Sequence, residues 1–322
     1  MSYPTVSVVI PCFNQARYVR EAIESVLTQT EPPQEIIVID DGSTDATLSL
    51  LKAFGRSIQV IAQANGGVAA ARNVGIAASK GDYVALLDSD DAWLPDKLAA
   101  QMRLAARWPD AVLLHTLCST MDKNSLPRRD SAEEYPDRIE VDALERLLGH
   151  CYPTTSSCII RRSALELVGG FDVAFERQGG YVAAEDWELY VRLAEVGAFA
   201  SVGKPLTKYR VHSESKTQAD RLPHTLGLIA LRQKIDSRKG LWIATRNTPG
   251  LRIALALHTR SFAHLWGRLG LIYEQRSEHL LACKSYSETI RLEPCVPKHR
   301  LRYLRALANS ARQSPAEGAS RS

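Results

Sequence analysis

Over its first third the chain switches repeatedly between two hydrophobic periods. Val6 to Ile10 is a β-branched run closed by Pro11, and such a run reads as a strand. Tyr18 to Thr28 places Val19, Ile23, Val26 and Leu27 at helical spacing. Glu35 to Asp40 is a second strand, and Asp41-Gly42-Ser43-Thr44-Asp45 follows as a turn in which Ser43 or Thr44 can cap the next helix. A strand over Ile58–Ala62, an Ala-rich helix over Val68–Ser79 and a strand over Tyr83–Leu87 complete the series. Strand and helix alternate with short connections. That pattern predicts an α/β fold, a mostly parallel twisted sheet with helices on both faces. In such a sheet Pro11-Cys12-Phe13-Asn14, Asp40-Asp41 and Asp88-Ser89-Asp90 all lie at one edge, where open parallel sheets bind ligands.

Beyond residue 90 the pattern predicts a helix over Pro95–Arg107, a strand over Ala111–Thr116 and a surface loop over Asp122–Asp137. It continues with a short helix over Val141–Leu148, a strand over Ser156–Ile160 and a helix over Ser163–Val168 stopped by Gly169-Gly170. Phe171 to Ala184 contains Gly179-Gly180 and reads as a mobile loop before a helix that opens at Glu185-Asp186. From about residue 222 the chain reads as entirely helical. The expected organisation is a catalytic domain over 1–221, a basic helical region over 222–309 and a polar, disordered tail over 310–322.

Charge supports two modules. Residues 204–322 hold 22 Lys and Arg against 8 Asp and Glu, whereas residues 1–203 hold 18 against 28. A basic C-terminal region points to an anionic partner. No stretch approaches the roughly 18 uninterrupted apolar residues of a membrane span, and Met1-Ser2-Tyr3-Pro4 does not open a signal peptide. A cytoplasmic address is expected. The six cysteines show no C-x-x-C pairing and read as reduced thiols.

The chemistry concentrates at Asp88-Ser89-Asp90. Clustered carboxylates repel one another, and a divalent cation relieves that repulsion. A metal-assisted site for a phosphate-bearing substrate is the direct reading. Asp91, beside it, reads as a turn or helix-start residue. A zinc hydrolase is excluded by the absence of H-x-x-x-H or H-E-x-x-H. A P-loop and a dinucleotide fingerprint are absent too, since Asn65-Gly66-Gly67 lacks the G-x-G-x-x-G spacing.

Val6 to Asn14, Ile39 to Asp45, Asn65 to Gly75, Asp88-Ser89-Asp90, and Gly169-Gly170-Phe171-Asp172 with Glu185-Asp186 occur in this order on these predicted elements. Together they make the chain resemble family 2 glycosyltransferases, over about residues 4–215. The resemblance implies the A-type nucleotide-sugar fold and transfer of a sugar from a nucleoside-diphosphate sugar to a saccharide or lipid-linked hydroxyl, in cell-surface polysaccharide or glycoconjugate synthesis. It implies that Pro11, Phe13 and Asp41 hold the nucleoside, with Arg72, Asp88, Asn14 and Ser89 also on the nucleotide-sugar side. Asp90 would bind Mg²⁺ or Mn²⁺, with Asp88 and His212 in the metal shell, and Asp186 would be the catalytic base of an inverting displacement.

Each residue also has a plainer reading. Asp88 and Asp90 suit a solvated turn, Asp186 a first-turn helix carboxylate, Phe13 a core position and Arg72 an ion pair. Glu185 competes with Asp186, and His212 reads as structural. Two other functions share the pattern. A sugar-phosphate nucleotidyltransferase would want a Gly- and Lys/Arg-rich loop where Pro11-Cys12-Phe13-Asn14-Gln15 stands, and a non-catalytic nucleotide-sugar-binding scaffold would work through its tail. The Q-x-x-R-W motif and membrane helices of processive members are absent, so one sugar per encounter is expected. Donor and acceptor choice is assigned to the loops 122–137 and 171–184.

In the C-terminal region Trp266, Leu269, Gly270 and Tyr273, followed by Ala282, Tyr286 and Pro294, resemble one tetratricopeptide repeat. One repeat buries its faces only against neighbouring helices or a second subunit, so a homodimer through these helices is one expectation. Arg246, Arg252, Arg260 and Arg268 suit peripheral contact with an anionic membrane at its inner face, or a solvated basic face. No nucleic-acid partner is expected.

Overall fold

A computed structural model describes residues 4–128, 133–177, 184–212, 221–246 and 248–313. The chain divides into two units, residues 1–178 with 185–218, and residues 179–184 with 219–322. The last helix runs to Gln313, so residues 310–313 of the segment expected as a tail are helical; residues 314–322, and Gly179-Gly180 in the loop expected over 171–184, lie outside the described residues.

The first unit is built on a mixed sheet. Strands β1 (Val6–Cys12), β2 (Glu35–Asp40), β3 (Gln59–Ala62) and β4 (Tyr83–Leu86) alternate with helices α1 (Val19–Leu27), α2 (Thr47–Lys52) and α3 (Val68–Ala78). These four strands are parallel, in the order β3-β2-β1-β4. The chain therefore walks outward from β1 to β3 and returns to the opposite side of β1. That reversal is a topological switch point, and the loops leaving β1 and β4 flank it.

The second half of the sheet is mostly antiparallel. It comprises β5 (Ala92–Trp93), β6 (Leu113–Met121), β7 (Arg138–Glu140), β8 (Ile159–Arg161) and β9 (Phe199–Arg210), with helices α4 (Lys97–Arg107), α5 (Ala143–Gly149), α6 (Arg162–Val168), α7 (Ala174–Arg177) and α8 (Glu185–Val196). β8 lies antiparallel between β4 and β6, β9 is parallel to β6, and β5 and β7 pair antiparallel with β9.

Several boundaries differ from the sequence expectation for tertiary reasons. β1 continues through Pro11 and Cys12, which pair with Ile39 and Asp40 past the end of the β4 pairing. A proline is tolerated where the ladder has ended on one side. β6 runs on to Met121 because β9 supplies a partner along its whole length. Ser156 belongs to a single 3-10 turn, Thr155–Ser157, rather than to a strand. The loop expected over 122–137 is followed by β7, and Glu140 of that strand is buried.

Alternation by two places Val8, Ile10, Ile36 and Val38 with Val19, Ile23 and Val26 of α1 in one buried cluster. On the other face Gly75 of α3 lets the helix backbone settle onto Val9 and Ile39; a Cβ there would lie 2.3 Å from Val9 Cγ1 and 2.8 Å from Ile39 Cδ1. Burying one such aliphatic side chain is worth about 1.5–3 kcal/mol.

The second unit consists of α9 (Arg221–Thr245), α10 (Pro249–Gln275), α11 (His279–Leu292) and α12 (Pro297–Gln313). Thr248 caps α10 by accepting from the Leu251 N–H at 3.0 Å, with Pro249 in the first turn. Gly270 of α10 meets the Tyr286 ring of α11 so closely that a Cβ would lie 2.5 Å from it. Arg232 and His258 are buried between α9 and α10, the arginine donating to His258 Nδ1 at 2.6 Å while Nε2 meets Asp236 at 3.0 Å. Burial first, then the Arg232 charge, depress the imidazole to about 4. Among the described residues no helix is long and apolar enough to cross a membrane.

Gly75→Ala is expected to destabilise the first unit by about 1–3 kcal/mol through overpacking, read as a lowered midpoint in urea unfolding; an unchanged midpoint would show that α3 can shift outward without cost.

Candidate active site

The loops leaving β1 and β2 are stapled to each other. Asn14 sits in the left-handed region at φ 53°. Its Oδ1 accepts from the Thr44 N–H at 2.8 Å and the Asp45 N–H at 3.3 Å, and its own N–H donates to Ser43 Oγ at 2.9 Å. Asn14 therefore shapes the rim through these bonds. Phe13 just before it is not core: it is 44% exposed at the end of a fully buried strand. Pro11 is buried within that strand, so only its backbone can shape the rim.

Asp41 follows β2 and is buried. Its Oδ1 accepts from Gln63 Nε2 at 2.7 Å and the Gly66 N–H at 2.9 Å, and Oδ2 accepts from the Gly67 N–H at 2.8 Å. Gly67, at φ 90°, opens α3. The Gly66-Gly67 pair thus turns backbone donors onto a carboxylate, and Oδ2 keeps acceptor capacity for a ligand N–H.

The loop after β4 is clamped from two sides. The Asp88 N–H donates to Ser156 Oγ at 3.0 Å, and Ser156 Oγ donates to Asp91 Oδ2 at 2.6 Å. Asp91 Oδ1 accepts the Arg210 N–H at 2.8 Å, and Arg210 Nε donates to the Asp90 carbonyl at 2.6 Å. Asp91 closes the turn, its N–H donating to the Asp88 carbonyl at 3.0 Å, and its buried carboxylate also clamps the loop. Arg210 is itself buried and reaches Glu21 of α1 at 2.6 Å and Ser125 at 2.9 Å. Ser89 is buried in this loop.

Asp90 Oδ2 lies 3.0 Å from His212 Nε2. Burial, then the charge of Asp88, pushes the Asp90 carboxyl above its ordinary range, and His212 opposes the shift. Among the described residues no group of three or more His, Cys, Asp or Glu encloses a metal position alone. Asp90 and His212 meet as one oxygen and one nitrogen donor beside the Asp88 charge. The chemistry of that pair suits part of a Mg²⁺ or Mn²⁺ shell and not a whole one, the remainder falling to phosphate oxygens and water.

Arg72 joins this loop to the start of α8. It is buried, donates to Asp88 Oδ1 at 2.7 Å and Glu185 Oε1 at 2.9 Å, and lies 5.1 Å from the centre of the Phe171 ring. Asn73 holds Phe171 in place, accepting its N–H at 2.8 Å and donating to its carbonyl at 2.9 Å. The ion-pair reading of Arg72 is met by these two carboxylates. Asp186 Oδ2 accepts from Thr155 Oγ1 at 3.1 Å and Oδ1 from the Trp187 N–H at 2.7 Å. Burial, reinforced by the Glu185 charge and opposed by Arg72, pushes the Asp186 carboxyl up to about 6.

Thr155, Ser156 and Arg210 were not singled out from the sequence as site residues, because isolated hydroxyls and a strand arginine carry no local signal. Arg72→Met should destabilise the fold by about 3–5 kcal/mol, because Asp88 and Glu185 lose a shared counter-charge. Chemical denaturation measures this, and Glu185→Gln in the same chain should return part of the loss; no recovery would place the cost elsewhere.

Comparison with known proteins identifies the family. The family model described as "Glycosyl transferase family 2" matches residues 7–169. An uncharacterized glycosyltransferase of Nostoc sp. is 33% identical over 215 residues, which are 64% of this chain and 65% of that protein. The putative glycosyltransferase EpsH of Bacillus subtilis is 30% identical over 223 residues, 68% of this chain and 64% of that protein. Chondroitin synthase of Pasteurella multocida is 29% identical over 66% of this chain but only 21% of its own length. The chain thus matches just under two thirds of the length of the first two relatives. A crystal structure of S. aureus TarS 1-349 in complex with UDP-GlcNAc superposes with a TM-score of 0.64 at 17% identity, covering 96% of this chain and 92% of that one, a likeness of fold. The chain belongs to glycosyl transferase family 2.

Proposed function

We propose that this enzyme moves a sugar, one per encounter, from a nucleoside-diphosphate sugar to a saccharide or lipid-linked hydroxyl, with inversion at the anomeric carbon. The observation that carries this reading is the placement of Asp186 across Arg72 from the Asp88–Asp90 loop. One side is built for a departing diphosphate, the other for a proton acceptor. Exposed Phe13 offers a face for the base, and Asp41 Oδ2 an acceptor for a base N–H. Asp90 and His212, with Asp88, would hold Mg²⁺ or Mn²⁺, whose contribution when bound is Lewis-acid neutralisation of charge on the leaving phosphates. TarS is seen with UDP-GlcNAc and with UDP, so uridine diphosphate sugars head the donor panel. Similarity to a chondroitin synthase supports polysaccharide synthesis as the setting.

Asp186 takes the proton of the acceptor hydroxyl as that oxygen attacks opposite the diphosphate, and direct displacement inverts the centre. A carboxyl raised to about 6 is a better base than a free aspartate yet stays mostly ionised near neutrality. Glu185 is the weaker candidate because Arg72 holds its carboxylate. The nucleotidyltransferase alternative is disfavoured by the loop after β1, whose donors are spent stapling Asn14 and Gln15 to the 43–47 turn.

With a uridine diphosphate sugar and Mn²⁺, nucleoside diphosphate should be released, chelation should stop it, and kcat should fall as the pH drops through about 6. Asp186→Asn should lower kcat about 10²–10⁴-fold. The same carboxyl costs folding stability as pH rises from its unfolded value of 3.8 toward 6, so the variant should melt no lower than wild type at pH 7. Wild-type turnover in folded Asp186→Asn would remove the base assignment, and pyrophosphate release would favour the nucleotidyltransferase.

We also place the enzyme in the cytoplasm, peripheral to an anionic membrane. Helix α12 carries five Lys and Arg and no Asp or Glu, while Leu301, Leu304 and Leu307 are 67%, 58% and 46% exposed. Apolar side chains flanked by cations suit the headgroup boundary of anionic lipid. Pairing this face with its copy would oppose like charges, which favours the membrane over a homodimer through α12. Cosedimentation with phosphatidylglycerol vesicles should be lost at high salt and weakened by Leu301→Ser with Leu304→Ser; equal binding to neutral vesicles would overturn this.

A further inference from the structure

Thr155 opens the 3-10 turn Thr155–Ser157 and is buried. Its hydroxyl donates to Asp186 Oδ2 at 3.1 Å and receives the Tyr190 hydroxyl at 3.4 Å. Tyr190 is fully buried and lies four residues after Asp186 in α8, on the same helix face. A hydroxyl has one proton to give. With the tyrosine O–H directed into the threonine oxygen, the threonine proton is committed to the aspartate.

The turn that carries Thr155 is itself fixed. The Cys158 N–H donates back to the Thr155 carbonyl at 3.0 Å, and the next residue, Ser156, bonds both Asp91 and the Asp88 N–H. One dipeptide therefore ties the start of α8 to the loop after β4. Thr155 faces Asp186 and Ser156 faces the acidic loop.

We propose that Thr155 is a positioning residue for the transfer reaction: its hydroxyl, aligned by Tyr190, selects the orientation of the Asp186 carboxylate and stabilises the ionised form that accepts the proton. The proposal rests on Asp186 being the base. The charged and titratable groups around Asp186 are Glu185 on its own helix, Arg72 from α3, Cys151 from the loop after α5, and Tyr190. Burial and Glu185 disfavour the carboxylate, while Arg72, the Trp187 N–H and the Thr155 hydroxyl favour it. Arg72 is already divided between Asp88 and Glu185, so the threonine is the neutral donor that compensates on the Oδ2 side. Its replacement by an apolar isostere leaves burial and repulsion unanswered there.

The test compares Thr155→Val, Thr155→Ser and Tyr190→Phe in the full chain. Titration of the Asp186 carboxyl by ¹³C NMR reads the interaction without catalysis. Thr155→Val should raise its midpoint by about one pH unit, Thr155→Ser should restore it, and Tyr190→Phe should shift it less in the same direction. The acid limb of kcat against pH should move with the carboxyl, with kcat approaching wild type at high pH and the donor KM unchanged. Coincident titrations in wild type and Thr155→Val overturn the proposal, as does a serine variant that behaves like valine. If the carboxyl shifts but Asp186→Asn turns over normally, it is the base assignment that fails, and the positioning role for catalysis fails with it. Should Thr155→Val not fold, the Thr155→Ser and Tyr190→Phe titrations decide the question.

Discussion

The first unit depends on a buried guanidinium. Arg72, packed beside Phe171, meets carboxylates from two directions: Asp88 at the end of β4 and Glu185 at the start of α8. These residues are 16 and 113 positions away from it in sequence. Arginine suits the task because its planar fork remains charged and presents divergent donors. A buried charge is costly alone, so the fold can keep Arg72 only if both acidic elements close on it, and once they do, the two halves of the site acquire a fixed separation.

The other constraints serve the same geometry. Arg210, from the last strand of the sheet, grips the backbone of the acidic loop and anchors it to Glu21 on the first helix. Ser156 holds the loop from the opposite side through Asp88 and Asp91. Three carboxylates in four positions would otherwise splay apart. Asp91 is held by neutral donors and burial, Asp88 by an arginine, and Asp90 by an imidazole. At Asp186 burial disfavours the charge at a cost in stability, and under the proposed function the same burial would strengthen it as a base.

Glycine and hydroxyl positions mark where backbone must approach backbone. Gly66 and Gly67 turn their amides onto Asp41, and Gly75 brings α3 against β1 and β2. These are ordinary packing requirements, yet they set the rim from which Phe13 projects. The sequence signals these positions as small residues without saying what they approach.

The alternation of strand and helix up to Leu87, the shared edge of the strand ends and the acidic cluster after the fourth strand were all legible from residues 6–90, because parallel strands bury both faces and their local patterns are strong. Membership of the family was legible for the same reason, since its motifs sit at those strand ends. What tertiary structure decided was which side chains meet across long separations. The antiparallel half of the sheet, the clamp role of Asp91, the commitment of Glu185 to Arg72 and the hydroxyl relay from Tyr190 through Thr155 to Asp186 carry no period and no motif. They arise from contacts between distant segments, where burial lends weight to single hydrogen bonds and charges that a linear pattern does not rank.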